Sequence, residues 1–96
     1  MSEPGGDICE AQFEVRSPYG LHARPAARFA QMATELGCDI QLGRPGGQEW
    51  VNGASVLSIL SLAAGEGTLL VIRAEGPDAV AAVARLGAIL EEIELG

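Results

Sequence analysis

A stripe of apolar residues near the C-terminal end constrains this chain most. Ala79, Ala82, Val83, Leu86, Ile89, Leu90 and Ile93 recur every three or four residues between Pro77 and about Glu94, the spacing of one helix face. Such a face has to be buried, and in a chain of 96 residues only one sheet or a few other helices are there to cover it. Gly76 and Pro77 mark the start of that helix, with Asp78 in a first turn that favours a carboxylate.

A second stripe, Ala26, Phe29, Ala30, Ala33 and Leu36, predicts a helix over residues 22–36. Pro25 falls in its first turn, where a missing N–H costs nothing, and Gly37 follows as a C-terminal cap. Ser55 to Leu62 reads as a short third helix with Ser55 as its N-cap. Strands fill the remainder. Ala11 to Val15 alternates, with Phe13 and Val15 on one face, and Thr68 to Glu75 alternates with Leu70, Ile72 and Ala74 inward. Asp39–Leu42 and Gln48–Asn52 flank Gly43-Arg44-Pro45-Gly46-Gly47, so a hairpin is the natural connection. The order β-α-β-β-α-β-α, with each stripe buried once, predicts an α+β two-layer sandwich: a four-stranded sheet with three helices on one face. Residues 1–8, rich in Gly, Pro and acids, read as a flexible extension, and residues 9–96 as a single domain.

Composition excludes several functions. The formal charge is −7, and all six cations are arginines, which argues against nucleic-acid binding and against docking on an anionic membrane. One histidine and two distant cysteines, Cys9 and Cys38, make no plausible metal site, and the cysteines read as reduced thiols. No apolar stretch approaches the roughly 20 residues of a membrane-spanning helix. MSEPGGDICE lacks the basic and apolar regions of a secretory signal. A soluble, cytoplasmic protein is expected. Only four residues are aromatic (Phe13, Tyr19, Phe29 and Trp50), so the core must be aliphatic; Trp50 reads as core or edge packing.

The residues that carry chemistry lie in Gly20-Leu21-His22-Ala23-Arg24-Pro25-Ala26. His22 stands where a turn becomes a helix, and the first-turn amides there form, with the positive helix end, a site for a phosphate. Arg24 brings a fixed cation to phosphoryl oxygens, and Gly20 permits a tight turn before the site. A neutral imidazole nitrogen can accept a phosphoryl group and release it, a transfer that asks mainly for positioning and charge stabilisation. By spacing alone, however, the plainer reading comes first: His22 as an N-cap-like polar residue at a helix start, with Arg24 as a solvated charge. A second signal lies in the short helix, where Val56, Leu57, Ile59, Leu60 and Leu62 make nearly every side apolar. If Ile59 and Leu62 face the core, then Val56, Leu57 and Leu60 form an exposed patch beside the His22 loop, as a partner surface would.

GLHARPAARFAQMA resembles the active-site segment of HPr, the histidine phosphocarrier family of the bacterial phosphoenolpyruvate-dependent phosphotransferase system. The resemblance continues in register through VNGASVLSILSLAAGEGTLLVIRAEGPDAVAA and covers residues 11–95. It implies an open-faced sandwich with an antiparallel sheet, in agreement with the order above. It further implies that His22 takes the phosphoryl group from phospho-enzyme I on Nδ1, without a cofactor, and passes it to enzyme IIA domains. Arg24 and the amides of Ala23 and Arg24 would line the phosphate site. Ala23, Ala27, Val56, Leu57 and Leu60 would form the docking surface of a monomeric protein. Ser55 matches a position that a bifunctional HPr kinase/phosphorylase modifies in some relatives. Tyr19 stands where many relatives carry Asn or Ser, and Ala54 where lysine is frequent. A second reading is a regulatory module of the same fold, of a nitrogen-type or regulation-only branch, whose phosphorylation state controls a partner protein.

Overall fold

The computed structural model describes residues 7–93. Seven elements follow in order: β1 (Ile8–Glu14), α1 (Ala23–Glu35), β2 (Asp39–Gly43), β3 (Trp50–Asn52), α2 (Val56–Ser61), β4 (Leu69–Glu75) and α3 (Ala79–Leu90). The strands form one antiparallel sheet in the order β1-β4-β2-β3. This is the α+β arrangement expected from the sequence. Leu70, Ile72 and Ala74 of β4 and Ile40 and Leu42 of β2 point into the core. The opposite face of the sheet carries no covering layer: Leu69 and Glu75 are exposed, Val71 and Arg73 half-buried.

Most of each predicted helical stripe is buried, with Leu36 half-buried. Ala26, Phe29, Ala30 and Ala33 of α1 meet Ala79, Ala82, Val83, Leu86, Ile89 and Leu90 of α3 in one core. Small residues let the helices sit close to the sheet. Gly87 shows why a glycine, weak in a helix interior, is used in α3: a Cβ there would fall 2.2 Å from the ring of Phe13 on β1. Gly37, with φ +73°, ends α1 in the left-handed conformation that its lack of a Cβ allows. On the uncovered face, a Cβ on Gly43 would meet the Trp50 ring at 3.0 Å. The two residues are direct partners across β2 and β3, so the indole lies over bare glycine backbone. Trp50 is thus edge packing.

Several boundaries differ from expectation. β1 begins at Ile8 rather than Ala11, because Ile8 pairs with Glu75 and the Gly76 amide donates to Asp7 O at 2.8 Å. Of the extension expected over residues 1–8, residues 1–6 lie outside the described residues, and Ile8 belongs to the sheet. Helix α3 begins at Ala79. Asp78, expected inside its first turn, is the N-cap residue with φ +56° and makes no side-chain capping bond. The helix also stops at Leu90, earlier than the stripe suggests. Glu91 and Glu92 sit at the negative end of the dipole, and Ile93, expected in the core, is 60 % exposed. Arg28 of α1 forms an ion pair with Glu92 that ties α1 to the end of α3. Its hydrogen bond holds the Glu92 carboxyl below the usual carboxylate range.

Phe29 is fully buried and is the largest side chain of the aliphatic core. Phe29→Ala should therefore lower stability by about 3–5 kcal/mol in urea unfolding, a large part of what a small domain has.

Candidate functional site

One end of the sandwich holds the histidine. β1 runs out into Val15, whose amide donates to Thr68 O at 2.9 Å while Gly67 N donates back to Val15 O at 2.7 Å. The chain then turns through Ser17-Pro18-Tyr19-Gly20. Gly20 N donates to Ser17 O at 2.9 Å, and Tyr19 N to the Oγ of buried Ser17 at 3.2 Å. Gly20 has φ +71°, and a Cβ on it would lie 2.7 Å from Ala64 O and 2.9 Å from Gly65 Cα. No other residue satisfies both conditions at once. Leu21 is buried, and its amide donates to Ala64 O at 2.9 Å. The site loop is thereby seated on the turn that follows α2.

His22 is the N-cap residue of α1, with extended backbone (φ −88°, ψ −172°) and no side-chain capping bond. Its carbonyl accepts the Ala26 amide at 3.0 Å. The helix thus starts with its first-turn amides at the positive end of the dipole, beside the imidazole. Nε2 of the ring is buried. Tyr19 packs edge-on against the ring, with centroids 5.9 Å apart and planes at 81°, an arrangement favoured between aromatic rings. The tyrosine therefore supports the histidine through ring contact. Arg24 is exposed in the first turn, as are Ala23 and, one turn on, Ala27.

Helix α2 packs against α1. Ser55 is its N-cap, as expected, with Oγ accepting the Ser58 amide at 3.2 Å. Ile59 is fully buried, and Leu57 is 80 % exposed. Val56 and Leu60, expected to be exposed, are half-buried and pack against the core, and Leu62 is half-buried rather than fully inside. The reason is that α2 contacts α1 and β3 as well as lying over the core, so its flanks are shielded too. The patch is narrower than the sequence suggests and centres on Leu57.

Sequence reasoning missed the turn after α2. Ala63 adopts φ +51°, and alanine carries no left-handed signature that would have flagged it. Among the described residues, no three His, Cys, Asp or Glu side chains come together as a metal site would need, and no helix is long and apolar enough to cross a membrane. Cys9 and Cys38 are half-buried and not bonded to each other. Burial, with Asp78 adding to it, pushes the Cys38 thiol up, and Sγ donates to Pro77 O. It is not an activated nucleophile.

Comparison with known proteins points one way. Residues 9–92 match the family model described as the phosphotransferase-system HPr component phosphorylation site. A phosphocarrier protein HPr of Haloferax volcanii is 41 % identical over 75 residues, 78 % of this chain and 84 % of the relative. The HPr-like protein Crh of Bacillus subtilis is 37 % identical over 85 residues, 88 % of this chain and 98 % of Crh. A crystal structure of HPr from Bacillus anthracis superposes with a TM-score of 0.79 at 37 % identity, covering 86 % of this chain and 96 % of that one.

Gly20→Ala should cost about 2–4 kcal/mol in chemical denaturation, since it combines left-handed strain with a backbone clash. The same variant should shift the NMR resonances of His22, which the Gly20–Leu21 contacts hold in place.

Proposed function

The chain belongs to the HPr family of phosphotransferase-system phosphocarriers, and from that premise we propose that His22 is its phosphoryl acceptor. The attacking atom is Nδ1. The N–P bond of phospho-enzyme I breaks as the new N–P bond to His22 forms, and the group later leaves to an enzyme IIA domain by the reverse exchange. The observation that carries this reading is the placement of His22 as N-cap of α1, beside the first-turn amides, with Nε2 buried; Nδ1 as the attacking atom is what membership of the family implies. Dipole and first-turn amides of Ala23 and Arg24 favour the phosphoryl oxygens, and the Arg24 guanidinium adds positive charge. The donor supplies the energy of transfer, so the chain needs no cofactor. Its work is to present one nitrogen and steady the charge around it.

Leu57, with Ala23, Ala27 and the partly exposed flanks of Val56 and Leu60, supplies the surface on which enzyme I and IIA domains dock in this reading. A cytoplasmic monomer fits that task. In a lysine-free chain the docking rests on apolar contact and on arginines. Ser55 is the regulatory site of the reading. A phosphate there, added by an HPr kinase/phosphorylase, brings about two negative charges to the start of α2, close to the docking surface.

The match to Crh favours a second reading, in which the chain is a regulatory module and its phosphorylation state controls a partner protein. The two separate on turnover. A carrier passes the group from His22 to a IIA domain rapidly, whereas a switch holds it.

Incubation with phosphoenolpyruvate and enzyme I should give an acid-labile, alkali-stable phosphoprotein, and His22→Ala should abolish the labelling; undiminished labelling of that variant would end the assignment. Leu57→Glu should leave the melting temperature nearly unchanged and lower kcat/KM for transfer about tenfold, the loss typical of an interface anchor.

A further inference from the structure

The guanidinium of Arg44 reaches across the fold, where its Nη2 donates to the carbonyl of Leu62 at 2.9 Å. Leu62 is the C-cap residue of α2, and the helix has no basic residue of its own in its last turn. The last carbonyls of a helix have no partner within it, and its C-terminal end carries partial negative charge. Arg44 therefore supplies from another element both the donor and the cation that α2 lacks.

Arg44 is itself held in place. It opens the turn Arg44-Pro45-Gly46-Gly47, closed by Gly47 N donating to Arg44 O at 2.9 Å. Gly46 has φ +72°, and Pro followed by a left-handed Gly is the signature of a type II turn. On the far side of the bond, the chain from Leu62 passes through Ala63, in the costly left-handed region, to Ala64. Ala64 O then accepts the Leu21 amide, and Gly20 lies against Ala64 and Gly65. One short path thus joins the β2–β3 turn to the residue before His22.

We propose that Arg44 is a positioning residue for His22, holding the turn after α2 on which the histidine loop is seated. This rests on the reading of His22 as phosphoryl acceptor. Without the Arg44 bond, the Leu62–Ala64 segment relaxes from its left-handed turn, Ala64 O shifts, and the Leu21 amide opens more often. The imidazole and the first turn of α1 then lose their common register.

The test uses the full chain with Arg44→Met, which keeps most of the aliphatic stem, and Arg44→Lys, which restores a donor and a cation. Hydrogen exchange of the Leu21 amide is measured in the unphosphorylated protein, with the Gly76 amide at the opposite end of the sheet as reference. Arg44→Met should speed Leu21 exchange about threefold, the effect of losing one exposed hydrogen bond, and leave Gly76 unchanged. The rate of phosphoryl acceptance from phospho-enzyme I should fall by a similar factor, and Arg44→Lys should restore both. Unchanged Leu21 exchange overturns the proposal. So does an equal acceleration at Gly76, which marks general loosening, or an unaltered acceptance rate despite a faster Leu21. If the wild-type chain accepts no phosphoryl group at all, the reading of His22 fails instead, and the exchange data still report whether Arg44 holds the loop.

Discussion

The structure depends on β4. This strand is hydrogen-bonded on both sides, to β1 and to β2, and its inward side chains Leu70, Ile72 and Ala74 are fully buried. Because β1 and β2 both run antiparallel to it, the end of β1 and the start of β4 must meet at one edge of the molecule. The paired bonds of Val15 with Gly67 and Thr68 are that meeting. They bring the loop before α1 to the turn after α2, although more than forty residues of chain separate them. The site is a consequence of this closure, and the helices complete it.

The position of the histidine then follows from two compact devices. Gly20 allows the backbone of one loop to touch the backbone of another, and Leu21 anchors the approach with a buried side chain and one hydrogen bond. His22 is left at the helix start, half-buried, with its Nε2 inside the protein. Its tyrosine neighbour adds an aromatic edge against the ring. Contact and shape thus help to hold the imidazole in place.

Much of this was legible in the residues because the strong signals are periodic. The stripes of α1 and α3, the alternation of β4 and the hydroxyl cap at Ser55 follow from local spacing, and the GLHARPA run carried the family resemblance that the family model bears out. What escaped has physical reasons. Cys9 and Ala11 are too small to mark the start of β1, which pairing with β4 decides instead. Glu91 and Glu92 end α3 against a stripe that suggests continuation. The shielding of Val56 and Leu60 depends on how closely α1 approaches, and Ala63 bends for tertiary reasons that no single residue announces. Local chemistry was readable, and long-range contact was not.

Trp50 on its glycine carries a consequence of a practical kind. The chain has one tryptophan, and its indole rests on Gly43 at the outer surface of the hairpin that also holds Arg44. Its ultraviolet emission is therefore a built-in optical gauge of that hairpin, well outside the aliphatic core. Burial of the uncovered face would alter the water around the indole and shift its emission colour without any label.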